Sequence, residues 1–97
     1  MMLTGKCKKD FFKWFQSKSQ THYRLKEWFE DLDDSMQYGV YVDFFDSVGH
    51  RIGVSPVLEN DFWVYVNDEE IKDVDFKTRP EARAEAIKKA NEIYNLR

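Results

Sequence analysis

Asp61 and the run Asp75-Phe76-Lys77 are the residues whose types come nearest to catalysis. Two carboxylates beside a lysine can hold Mg²⁺ and activate a water. The pattern is short enough to arise by chance, and a strand end leading into a helix cap accounts for the same residues. Asp31, Asp33 and Ser35 open like a calcium loop, but the sixth position of that loop is Met36 rather than glycine, and the twelfth is Val42 rather than glutamate. Cys7, His22 and His50 lack metal-ligand spacing. Neither histidine lies in a nucleophile–base motif, and Gly5, Gly39, Gly49 and Gly53 form no phosphate loop. The expectation is a protein that is not an enzyme and takes no metal or cofactor.

Three constellations point to binding instead. Glu27, Glu30, Asp31, Asp33 and Asp34 form a candidate acidic interaction face that could imitate phosphate before a DNA-binding or defence protein. The plainer role of these acids is to keep a ring-rich small protein in solution. Lys77, Arg79, Arg83, Lys88 and Lys89 are candidate phosphate contacts in a nucleic-acid module. The order helix, three strands, helix is that of a double-stranded-RNA-binding domain, although the lysine pair expected at the start of the last helix is missing and the middle of the chain is acidic. Tyr41, Phe45, Trp63 and Tyr65 are a candidate aromatic sheet face on which bases or a partner could stack. Ordinary core packing is the competing use of those rings.

Charge summed by segment separates these constellations. Residues 1–27 carry seven Lys/Arg against two Asp/Glu, residues 28–75 two against thirteen, and residues 76–97 six against three. The net charge of −3 therefore conceals basic ends and an acidic middle, which bears on partners rather than on fold. At 97 residues the chain is expected to be one domain. High charge combined with 16% aromatic residues argues for a folded chain, since disordered segments are poor in rings. A single cysteine permits no internal disulfide, and no run approaches the roughly 20 apolar residues of a membrane span. With no signal-peptide pattern behind the basic start, the expected location is the cytoplasm, without membrane contact.

The elements that must position these residues follow from periodicity. Residues 1–9 read as a loosely held lead-in, and residues 10–35 as helical. Asp10 stands as an N-cap before Phe11, Phe12, Trp14 and Phe15, and Ser17 to Thr21 interrupt the helix. Leu25, Trp28, Phe29, Leu32 and Met36 then follow a helical stripe that ends near Asp33–Ser35. Residues 38–76 read as antiparallel strands: Tyr38, Val40, Val42 and Phe44 alternate, His50 to Ser55 form a second strand ended by Pro56, and Phe62, Val64 and Val66 mark a third. Ile71 to Phe76 would be a fourth strand or a connector. Thr78-Arg79-Pro80-Glu81 fits a capping box at the head of a helix over residues 79–96 that buries Ala82, Ala86, Ala90 and Ile93. Apolar groups on both faces of the first and third strands predict that both sheet faces are covered. The expected fold is α+β, in the order α-α-β-β-β-(β)-α, a small antiparallel meander sandwiched between N-terminal helices and a C-terminal helix. The alternative cover for one face is a second copy, giving a homodimer.

Trp14-Phe15, Trp63-Val64-Tyr65-Val66, and Phe76-Lys77-Thr78-Arg79-Pro80-Glu81-Ala82 followed by Ala86-Ile87 and Ala90 resemble small phage and prophage proteins, and are similar to the phage ABA sandwich domain. That resemblance implies helices around a small sheet and an origin in a phage or mobile element, hence the cytoplasm of a bacterial host. It covers about residues 38–97, leaves the acidic helix around Trp28 unmatched, and carries over no functional residue. The resulting expectation is a non-enzymatic binding or accessory protein acting through protein–protein contacts. The alternatives are a nucleic-acid-binding module and an acidic inhibitor of a host DNA-binding or defence protein.

Overall fold

The computed structural model describes residues 2–18, 25–58, 61–67, 69–70 and 76–96. Four helices, α1 (Gly5–Lys18), α2 (Leu25–Asp31), α3 (Asp34–Ser47) and α4 (Arg79–Asn95), accompany strands β1 (Ile52–Leu58) and β2 (Asp61–Val66) and a two-residue segment β3 (Glu69–Glu70). The class is α+β: N-terminal helices, a two-stranded antiparallel hairpin, and a C-terminal helix packed on it.

The first helix starts earlier than its sequence suggests. Leu3, Cys7, Phe11 and Phe15 recur every four residues and are all buried, so the lead-in belongs to the core. Asp10 is not the cap; it lies inside α1, where its carboxylate accepts a hydrogen bond from the Tyr94 hydroxyl. The cap comes from the far end of the chain. Asn95 Oδ1 accepts the Cys7 N–H at 2.8 Å, Asn91 Oδ1 accepts the Thr4 N–H at 3.0 Å, and Asn95 Nδ2 donates to the Thr4 carbonyl at 2.9 Å. Those amides satisfy donors that the first turn of a helix leaves without partners. Gly5 suits this junction twice over: its φ of +58° is left-handed, and the Asn95 amide lies 3.4 Å from where a Cβ would stand.

The largest correction concerns residues 38–45, expected as a strand and found within α3. The segment Tyr38–Phe45 is so nearly continuous in apolar groups that a period of two and a period of 3.6 both fit it. Tyr41, Phe44 and Phe45 are the buried ones, at helical spacing. Local chemistry decides the outcome. Asp33 caps the helix, accepting from the Met36 N–H at 2.9 Å and the Ser35 hydroxyl at 3.0 Å. Asp33 and Asp34 thus stand at the start of the next helix, where their charge favours its dipole. Gln37 closes the helix before it, donating to the Phe29 and Leu32 carbonyls at 3.0 and 3.1 Å. At the other end Gly49, at φ +88°, turns the chain toward β1.

The hairpin follows the expected alternation on β2, with Val54 opposite Val64 and Ile52 opposite Val66. Pro56 does not end β1 but pairs with Phe62 within it, beside a register irregularity before Leu58. An edge strand tolerates proline because one side of it has no ladder to supply. In place of a meander of three or four strands, β3 adds two rungs at the end of β2, and Phe76 makes an isolated bridge to Phe62. The rest of the proposed fourth strand, residues 71–75, lies outside the described residues, as do most of the interruption at Ser17–Thr21 and the turn at 59–60.

The layers also differ from a helix–sheet–helix sandwich. Helix α4 packs on β1 and β2 and also on α1 and α3, so the middle layer is the helix. Ala82, Ala86, Ile87, Ala90, Asn91 and Tyr94 are all buried, a band wide enough to serve two neighbours, and the alanines allow close approach. Thr78 caps it as expected, accepting from the Glu81 N–H at 3.3 Å. Phe11 sits at the centre of the helical side of the core, with ring centroids 5.1 to 5.4 Å from Phe29, Tyr41 and Phe44. Among the described residues no helix is long and apolar enough to cross a membrane.

Candidate interaction surfaces

The aromatic platform is not assembled. Tyr41 and Phe45 lie on α3 inside the core at 1% and 0% exposure. Trp63 and Tyr65 remain on the outer face of β2, opposite Ser55 and Gly53, with Trp63 exposed and Tyr65 half-buried. Among the described residues no helix covers this second sheet face, and only two rings of the proposed platform stand on it. Val64 and Val66 fill the inner face.

The basic set is not gathered into one strip, and four of its five side chains make contacts within the chain. Arg79 lies over the Phe62 ring at 5.4 Å and Arg83 over the Tyr38 ring at 5.1 Å. Lys77 pairs with Asp61 at 3.5 Å and Lys89 with Glu92 at 3.9 Å. Lys88 is exposed on another side of α4 from Arg83. No continuous strip of cations for a phosphate backbone results among the described residues. The Lys77–Asp61 pair does join two members of the nuclease pattern, while Asp75 lies outside the described residues. Among the described residues no group of three or more His, Cys, Asp or Glu could hold a metal ion. His50 is buried, with Nδ1 facing the Asn67 side-chain amide at 3.0 Å and its ring edge-on to Tyr94; it joins α4 to the hairpin. Cys7 is buried too, and burial with the neighbouring Asp10 pushes its thiol up to about 12.

The acidic set is brought together. Glu27, Glu30, Asp31, Asp33 and Asp34 are all exposed on α2 and the corner where it meets α3. The Met36 N–H and Ser35 hydroxyl hold the Asp33 carboxyl below its ordinary range and favour its charged form. Among the described residues Glu30, Asp31 and Asp34 make no ion pair. Sequence periodicity misplaces two residues of this corner. It puts Trp28 and Met36 on the buried stripe, yet they are 53% and 58% exposed, whereas Phe29 is fully buried. Helix α2 ends at Asp31 and α3 begins at Asp34, so the stripe loses its phase before Met36, while Trp28 touches the core only at its margin, with its ring centroid 5.6 Å from that of Phe15. The signal available in the sequence is the cap at Asp33 with Ser35 two residues on.

Compared with known proteins, the chain matches no family model, no curated protein and no solved structure.

Proposed function

We propose that this is a non-enzymatic binding protein that docks its acidic α2–α3 corner onto a basic protein surface. One observation carries the reading: Trp28, a large ring more than half exposed, stands among five exposed carboxylates within eight residues of chain. Tryptophan anchors are over-represented where proteins bind tightly, because a ring that fills a pocket loses little conformational entropy. The surrounding carboxylates would steer a basic partner and fix its orientation. Met36 on the same corner supplies an adaptable apolar contact.

Nucleic-acid binding has less support, since Lys77 and Lys89 are in ion pairs and Lys88 faces another side of α4 from Arg83. The residues behind the resemblance to phage-type proteins serve α1, β2, and α4 with its cap, so an accessory role in a phage or mobile element rests on that resemblance alone.

Trp28→Ala and the pair Glu30→Gln with Asp31→Asn are the informative variants. Asp33 is spared because it caps α3 and Asp34 because it opens that helix. Trp28→Ala is expected to leave the circular dichroism unchanged and to weaken partner binding about thirtyfold. The charge pair should slow association and reduce its salt dependence. Full partner binding by both variants would remove this corner as the docking site.

A further inference from the structure

A cavity of about 290 Å³ opens between the first turns of α3 and α4; Asp34 of the acidic corner borders it, whereas Trp28, Glu30 and Asp31 are not among its lining residues. Met2, Asp34, Tyr38, Tyr41, Arg83 and Ile87 are among the residues that line it. The volume lies at the lower end for small-molecule sites, which are mostly apolar with a few convergent polar groups. Ile87 and the two tyrosine rings supply the apolar wall.

Three polar groups give the cavity a recognisable chemistry. Arg83 is half-buried, lies 5.1 Å over the Tyr38 ring, and makes no ion pair among the described residues. Asp34, on the same cavity, likewise makes none. Opposite charges thus border one hollow without neutralising each other. At its floor Tyr41 is 1% exposed, and its hydroxyl approaches the Met2 backbone without a hydrogen bond of ordinary geometry. A buried hydroxyl left in that state costs the fold stability, and its persistence is explained if a ligand completes it.

We propose that the cavity binds a small zwitterion of the free amino-acid kind. Its carboxylate pairs with the Arg83 guanidinium and accepts from the Tyr41 hydroxyl. Its ammonium group pairs with Asp34, and its apolar side chain lies against Tyr38 and Ile87. Met2, 40% exposed beside the hydroxyl, moves aside to admit it. An anion alone would leave Asp34 facing it, and a cation alone would meet Arg83, so the pair of charges selects a ligand carrying both.

The test is a titration of the ¹⁵N-labelled full chain with L-phenylalanine, N-acetyl-L-phenylalanine and L-phenylalaninamide, followed by amide shifts. L-Phenylalanine is expected to saturate at millimolar concentration or below, shifting the amides of Ser35, Arg83 and Ala84. Each singly charged analogue should bind about tenfold more weakly, as should Arg83→Gln and Asp34→Asn with the unmodified amino acid. Tyr41→Phe, which leaves the core shape intact, should also weaken binding. The idea is overturned if no residue of the cavity shows a saturable shift, if either analogue binds as well as L-phenylalanine, or if both charge variants bind normally. Shifts confined to the α2 corner would overturn it as well, without bearing on the protein-docking surface.

Discussion

The N-terminal turn of α1 and the C-terminal turn of α4 meet through side-chain amides. Asn95 satisfies a first-turn donor of α1 and the Thr4 carbonyl together, so Asn95→Ala is expected to cost about 1–2 kcal/mol, the usual cost of losing a helix cap. Urea unfolding reads this directly, and a change within a few tenths of a kcal/mol would mean that water replaces the amide. Tyr41 predicts the opposite sign. Its hydroxyl is buried without a well-formed hydrogen bond, so Tyr41→Phe should raise the stability of the unliganded chain by about 1 kcal/mol. Burial pushes the Tyr41 phenol up to about 12, as it does the Cys7 thiol. Both groups are held neutral in the fold and ionise sooner in the unfolded chain. Their contribution is therefore intact below about pH 9 and lost progressively as the pH rises toward 12. Urea melts taken from about pH 8 to about pH 11 should show falling stability, and Cys7→Ala with Tyr41→Phe should flatten that fall.

Among the elements, α3 offers the sharpest test. Gly39 lies on its exposed side, with no atom within 4 Å of the place an added methyl would take and an ordinary backbone conformation. In a helix Gly39→Ala should add about 1 kcal/mol and stabilise more than Gly39→Val, whereas in a strand the order would reverse. Thermal melting of the two variants distinguishes these cases. Particular residues show how far the fold is legible from sequence. Thr78 with Pro80 and Glu81 announces α4, and the alternation of Phe62, Val64 and Val66 announces β2, because each signal is local and unopposed. Residues 38–45 carry apolar groups at almost every position, so pattern alone cannot choose a period. The choice rests on Asp33 acting as a cap, a role its acidic neighbours disguise. The Asn91–Asn95 clamp is illegible for another reason: its partners are more than 80 residues away, and nothing in either segment alone names the other. Of the candidate sites, the acidic one is legible because charges within eight residues of chain stay near one another whatever the fold. The aromatic one depends on α3 being a strand and dissolves with it.

Across the whole molecule, charge and exposure separate by region. Helix α4 occupies the middle layer, the hairpin turns Trp63 outward on one side, and the α2–α3 corner presents Trp28 with its carboxylates elsewhere. A large exposed ring in an acidic setting gains little from self-association at that corner, because a second copy would bring like charges together. A basic partner meets no such opposition. The most direct measurement places a photo-crosslinking amino acid at position 28 in the cells that produce the protein, with the same probe at position 88 as the comparison. Docking through this corner predicts a single dominant adduct from position 28, to a protein with a lysine- and arginine-rich surface. That adduct should be lost when Glu30 and Asp31 are replaced by amides, and absent from position 88. Equal labelling from both positions, or an adduct at position 28 indifferent to those replacements, would contradict it.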